Sequence, residues 1–392
     1  MGGAKNMKDI VQIYLPAFGR SYKKKALKKV VELLPLLSRY GVHGIWLTAM
    51  WLSGGYDNGF DIIDYTVDPK YGTVKDLIDV ISSAHALGIK VGCDIVPNHV
   101  SDKNILAQKC LDGVFGYEDA LCIVSEKEAD ELTKAGVPCF FGEKAYSEFE
   151  TANGVKYVRS TFCDYHQLNL NWEAEVVRKY FRVVALRIRG WGFDFARVDC
   201  GPMLLEDVSK ADPANPMACM RPKESVEAFM SVADVGLEYF FEWFDPNMCS
   251  RRFFEQYDNC YAVDCSYVLT GGYRDLAEYK KYSKMYHDDE YFIPLLGGHD
   301  QIPELNRYGL PWETLLREYV KIFDGKEGYR FIDLLTMAGY KNDAPCPSPD
   351  DSDYDACWET NPNERWRSRV PIAPIISLLR QEKRLKYWTF MK

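Results

Sequence analysis

The sequence predicts an α/β protein built as a (β/α)8 TIM barrel, with a small inserted domain after the third strand. Three observations carry this. Short apolar, β-branched runs alternate eight times with longer amphipathic segments, as in a parallel barrel. No glycine-rich phosphate loop follows the first run, which weakens the rival doubly wound sheet. The connection from Ser101 to Trp172 is far longer than a βα loop of about 2–6 residues, as an insertion would be.

The elements follow in order. Ile10 to Leu15 reads as the first strand, and Lys23 to Tyr40 as a helix, because Leu27, Val30, Val31, Leu34 and Leu37 recur at helical spacing. Gly44 to Leu47 is the second strand, and a helix starts at Val74 behind a capping box of Thr73 and Asp76. Lys90 to Val96 is the third strand. After the insertion, Glu173 to Arg189 reads as a helix and Phe193 to Val198 as the fourth strand. Tyr239 to Phe241, Tyr261 to Val263, Phe292 to Leu296 and Arg330 to Leu335 complete the eight strands, and Ile375 to Lys386 reads as a closing helix. The barrel therefore takes residues 1–100 and 173–392, and the inserted domain takes 101–172. The other irregular stretch, Gly339 to Arg369, follows the eighth strand; both lie on the face where barrel active sites sit. Its acidic cluster, Asp350 to Asp355, reads first as a variable loop.

Bulk composition narrows the function classes. The chain has 392 residues, 47% hydrophobic and 27% charged, enough to bury a large core. A net charge of −9 and a pI near 5.4, with no basic block, argue against nucleic acid. No apolar run approaches the roughly 18 residues of a membrane span. The N-terminal segment lacks the features of a secretory signal, and the twelve cysteines form no C-x-x-C pair, so the expectation is a cytoplasmic protein with idle thiols.

Chemistry is sought in acids placed just after strands, because the active sites of such barrels are built at the carboxyl ends of the strands. Four places qualify. The third strand ends in Asp94-Ile95-Val96-Pro97-Asn98-His99, the fourth in Arg197-Val198-Asp199, the fifth in Glu242-Trp243, and the seventh in Gly298-His299-Asp300. Any one of these acids alone reads more readily as a helix cap or a solvated loop residue. Four in order on one barrel is a different matter.

DIVPNH, GFDFARVD, FFEWF and LLGGHD resemble, in this order, the four conserved regions of the α-amylase superfamily (glycoside hydrolase family 13). IWLTAMW, GYDNGFDIIDYTVDPKYGT and HQLNLNW extend the resemblance, and the DNGFD run is similar to that of oligo-1,6-glucosidases and α-glucosidases. The resemblance implies that Asp199 is the nucleophile, with Arg197 keeping it ionised and oriented. It implies Glu242 as acid/base and Asp300 as a hydroxyl ligand favouring the distorted ring. His99 and His299 would hydrogen-bond the same sugar, since a neutral imidazole both donates and accepts. Asp61 would close the pocket on a terminal glucose, paired with an arginine from Glu364-Arg365-Trp366-Arg367, and Phe60 would offer an aromatic face. The bland readings are satisfied core histidines and a simple turn at residues 57–61.

Three departures from the family pattern stand out. The β-sandwich that usually follows the barrel in that family is expected to be absent, a reason to expect a homo-oligomer covering apolar surface. The DxNxDG calcium loop is replaced by Gly19-Arg20-Ser21-Tyr22-Lys23. Asn98 matches a calcium-ligating position in some members but has no evident companion ligands, so calcium is compatible and not predicted, and no cofactor is expected. Gly297 and Gly298 replace bulkier residues, and Asn169 replaces an aspartate. The leading expectation is an exo-acting α-glucosidase on oligosaccharides or disaccharides. The alternatives are a transglucosylase, sucrose isomerase or phosphorylase relative, and a non-catalytic binding subunit, which the three retained acids disfavour.

Overall fold

The computed structural model describes residues 7–57, 59–140, 144–162, 166–215, 217–243, 251–264, 291–293, 295–299, 309–322, 328–341 and 369–391. Its barrel strands are Met7–Tyr14, Gly44–Thr48, Lys90–Ile95, Phe195–Val198, Glu238–Trp243, Cys260–Asp264, the pair Phe292–Ile293 with Leu295–Leu296, and Gly328–Asp333. Each of the first six pairs in parallel with the next. The seventh strand is divided: its first piece pairs with the sixth strand and its second with the eighth, which returns to the first with Gln12 opposite Asp333. The expected barrel is therefore present, closed but for the junction between those two pieces.

Strands covered on both faces read as continuous apolar runs, and Gly44–Thr48 is buried at every residue. The interior is filled by side chains, with Phe240 edge-on to Phe195 and Phe331 across the ring. Gly92 is required by that filling, because a Cβ there would collide with the Phe195 ring.

Around the strands, Ala26–Arg39 and Val74–Ala86 form helices, the second opened by the Thr73–Asp76 capping box. Glu175–Trp191 ends at Gly192, whose φ of 98° suits a residue without a Cβ. The first strand stops one residue earlier than its pattern suggests. Leu15 instead begins a helix to Tyr22, helped by Pro16 in the first turn. The closing helix is broken into Ile372–Leu379 and Glu382–Met391. Tertiary bonds account for the break: the Tyr40 hydroxyl donates to the Leu379 carbonyl at 2.8 Å, and Trp388 Nε1 donates to the Tyr40 carbonyl at 3.1 Å.

Between the third and fourth strands the chain builds a three-stranded antiparallel sheet of Ile123–Val124, Tyr146–Thr151 and Gly154–Arg159. Ala129, Val137, Ala145 and Tyr146 form a separate small apolar cluster there. Buried Arg159 ties this region to the barrel through a two-pronged bond to Glu206, at 2.9 and 2.8 Å. Leu168–Asn169 also pairs with His99–Val100 at the end of the third strand. Of the irregular stretch after the eighth strand, residues 342–368, with the acidic cluster and the 364–367 arginines, lie outside the described residues. Among the described residues no helix is long and apolar enough to cross a membrane, and all seven cysteines are unbridged.

Candidate active site

The strand register assembles the site. Arg197 lies opposite Asp94 on the neighbouring third strand, and Asp199 follows two residues on, its amide donating to the Ile95 carbonyl at 2.8 Å. On the fifth strand Glu242 comes within reach of the same guanidinium. Arg197 ion-pairs with Asp199 through Nη1 and with Glu242 through Nη2, and its Nη1 stands 3.8 Å from Asp94 Oδ1. One cation is thus shared by three acids, all buried. The Cys200 amide donates to the second oxygen of Glu242 at 2.8 Å, from a residue held at φ 46°. Oxygens of Asp199 and Glu242 and the Cys200 sulfur lie within 4.8 Å of one another. Arg197 already meets the charge of both carboxylates, so a metal ion there would compete with it.

Asp94 was not singled out from the sequence beyond its place in a motif, yet it belongs to this cluster. It accepts from Trp46 Nε1 and the Ala49 amide, both at 3.1 Å. Burial pushes its carboxyl up to about 7, against the pull of Arg197. The signal available was an aspartate inside a strand whose neighbours are all apolar.

The loop after the second strand adds Phe60 and Asp61. Asp61 is fully buried and accepts from the amides of Tyr56 at 3.2 Å and Asp57 at 3.3 Å. Burial raises its pKa to about 6, with those two amides opposing. Among the described residues no cation lies within ion-pair distance of it; the arginines expected as partners are not described. Phe60 is buried and stacks on His299, with centroids 4.8 Å apart and planes 11° apart, so part of its ring serves a neighbour. The Arg197 guanidinium lies 5.7 Å from the centre of the same ring.

His99 is buried at the end of the third strand with Nδ1 3.1 Å from Asn98 Oδ1, and burial lowers its pKa to about 4. It is neutral at physiological pH. Asn98 also donates through Nδ2 to the Met203 carbonyl, so both ends of the amide at the calcium-like position are engaged by protein. His299 sits at the end of the seventh strand beside Phe60, Trp46 and Tyr14. The structure thus gathers Asp199, Glu242, Arg197, Phe60, His99 and His299 around one centre, with Asp61 in the adjoining loop. Asp300 lies outside the described residues.

Two departures acquire reasons. Gly297 adopts φ 77°, and a Cβ there would collide with the Asp333 carboxylate. Asn169 accepts from the Thr161 amide at 2.9 Å and donates to its hydroxyl at 2.6 Å, so a neutral amide fills this buried position without burying a further negative charge.

Comparison with known proteins bears on this geometry. Residues 12–235 match the family model described as "Alpha amylase, catalytic domain". Maltase A2 of Drosophila melanogaster is 38% identical over 183 residues, 46% of this chain and 32% of that protein. The alpha-glucosidase of Apis mellifera is 32% identical over 222 residues (53% and 37%), and the trehalose-6-phosphate hydrolase of Bacillus subtilis (strain 168) 30% over 174 (44% and 30%). The alignments thus span about a third of these relatives' length. Among solved structures, the Bacillus licheniformis trehalose-6-phosphate hydrolase superposes with a TM-score of 0.73 at 21% identity, covering 96% of this chain and 73% of that one. A variant of the trehalulose synthase MutB in complex with sucrose gives 0.75 at 19%, covering 93% and 74%. At such identities the likeness concerns the fold.

Proposed function

The chain belongs to the alpha-amylase family, and from that premise we propose that it is a retaining glycoside hydrolase releasing glucose from short α-glucosides. The observation that carries this reading is the sharing of Arg197 between Asp199 and Glu242, whose oxygens approach within 4.8 Å. That spacing is of the order retention requires, about 5–5.5 Å between carboxyl groups.

In the first step an Asp199 oxygen attacks the anomeric carbon as Glu242 gives its proton to the departing oxygen. In the second, Glu242 takes a proton from water, whose oxygen displaces Asp199 and frees the sugar with its configuration kept. Arg197 orients Asp199 for attack through their ion pair, and the Cys200 amide fixes the Glu242 carboxyl. In this reading Asp61, Phe60, His99 and His299 wall the glucosyl site, and the role in it that the resemblance gives Asp300 is left to mutagenesis. The names of the maltase, alpha-glucosidase and trehalose-6-phosphate hydrolase relatives support a short α-glucoside as substrate.

Product analysis tests the reading on maltose, isomaltose, sucrose, trehalose and trehalose 6-phosphate, with Asp199→Asn as control. Free glucose with initial retention, lost in the variant, is expected. New disaccharides would retain the nucleophile and assign the enzyme to glucosyl transfer. Turnover surviving in Asp199→Asn would overturn the assignment of the nucleophile.

A further inference from the structure

Gln12 lies in the middle of the first strand, 1% exposed, and no chemistry above uses it. Its Nε2 stands 3.1 Å from Thr48 Oγ1 and 3.0 Å from His299 Nδ1, so the two hydrogens of one amide nitrogen are directed at two side chains. A neutral imidazole carries one proton on one of two nitrogens. If an N–H donor faces Nδ1, the proton belongs to Nε2. His99 shows the opposite arrangement. Asn98 gives its Nδ2 to the Met203 carbonyl and turns Oδ1 to His99 Nδ1, so this ring meets an acceptor there, and the Phe60 backbone is a second one. Two histidines of one site are thus gripped by opposite ends of two side-chain amides.

We propose that Gln12 is a positioning residue, whose amide holds His299 neutral as the Nε2–H tautomer so that the ring presents a donor to the bound sugar. The ring plane is set by the Phe60 stack and the Trp46 edge at 6.0 Å, but neither contact distinguishes one ring nitrogen from the other. Gln12 does. It also opposes the imidazolium, because a proton on Nδ1 would face an N–H donor. Among the described residues, the ionisable groups around the ring include Tyr14 on the first strand, Arg197 beyond Phe60 and Trp46, Asp94 bonded to Trp46, and Asp333 opposite Gln12 in the register. The contribution to turnover rests on reading this site as a glucoside pocket; the tautomer does not.

The experiment therefore has two readouts. Protein labelled with 15N-histidine is examined by long-range 1H–15N NMR, with His299 and His99 assigned by His299→Gln and His99→Gln. His299 is expected as Nε2–H, with His99 as the internal reference ring that meets acceptors. His299 found as Nδ1–H would mean that the Gln12 carbonyl faces the ring, and would overturn the proposal. In kinetics, Gln12→Leu lowers kcat/KM on the order of 10²-fold, mostly in kcat, as misplacement of a contact group does. Gln12→Glu sets a carboxylate against Nδ1, stabilises the imidazolium and moves the acid limb of the kcat/KM profile to higher pH. A merely structural Gln12 would leave that limb in place in Gln12→Glu, and that result overturns the proposal. A wild type with His299 as Nε2–H that cleaves no α-glucoside would retain the positioning role and reject the functional reading.

Discussion

The barrel buries charge at both ends of its strands, in different ways. At the amino end Arg330 of the eighth strand meets its register partner Asp9 of the first, with side-chain exposures of 4% and 0%. At the carboxyl end Arg197 is shared by Asp199, Glu242 and, more distantly, Asp94. Both clusters are dry, so desolvation opposes folding at each. The amino end matches one charge with another across a strand pair. The carboxyl end crowds acids around a cation, an arrangement that folding alone does not favour. An excess of acids in a cleft is what catalysis needs, and it is tolerated because the rest of the fold overdetermines it.

Replacing the shared cation gives the largest expected effect. Arg197→Met leaves Asp199 and Glu242 facing each other without it, and kcat/KM falls by about 10³-fold, the loss typical of a charge-stabilising group. Arg197→Lys recovers little, since an ammonium lacks the planar fork that reaches two carboxylates at once. Steady-state kinetics on the best substrate of the panel measures both. At the amino end, Arg330→Met removes the ion pair of buried Asp9 and destabilises by about 3–5 kcal/mol, with kcat of the folded fraction unchanged. The double variant Asp9→Leu/Arg330→Met recovers much of that stability in urea titrations. A double variant as unstable as the single would break the comparison.

Asp61 sharpens it, as a buried acid of the site held by backbone amides. Its folded pKa of about 6 lies above the unfolded 3.8, so the folded state binds the proton more tightly. The stability this contributes is complete below about pH 4 and is lost as pH rises through 6. The wild type therefore loses about 3 kcal/mol relative to Asp61→Asn between pH 4 and 7. His99, lowered to about 4, has the opposite sign: its contribution is present above pH 6.5 and lost as pH falls through 4. Denaturant midpoints across pH 4–8 test both. Gly54→Ala is smaller: a Cβ at Gly54 would collide with the Asp61 carboxylate, and relief of that overlap costs about 1–3 kcal/mol. We expect it chiefly as a roughly tenfold rise in KM.

Much of this was legible in the sequence because it is local. The eight strands declared themselves by apolar runs between helical patterns, and Arg197, Asp199 and Glu242 by their place at strand ends. What stayed hidden depends on partners distant in the chain. The division of the seventh strand needs the sixth and eighth beside it. Breaking of the closing helix depends on Tyr40, more than 300 residues away in sequence. Gln12 looks like any polar residue inside a strand until register puts Thr48 and His299 against it. Asp94 was visible as part of a motif, but its contact with Arg197 is a fact of strand pairing.

The smallest effect lies at the amino end, where Lys90 and Glu238 pair at 2.7 Å with side-chain exposures of 36% and 23%. Glu238 also accepts from the Tyr329 hydroxyl, so loss of the lysine leaves it with a partner and with water. A pair this exposed contributes about 0–1 kcal/mol after solvent screening. Lys90→Met should therefore shift the urea midpoint slightly and leave kcat/KM unchanged. Added salt should erase even that difference, because screening acts on exposed charges and hardly on the Asp9–Arg330 pair. If Lys90→Met proved as damaging as Arg330→Met, end-to-end position rather than burial would be setting the energetics. The contrast between shared and paired charge would then lose its physical basis.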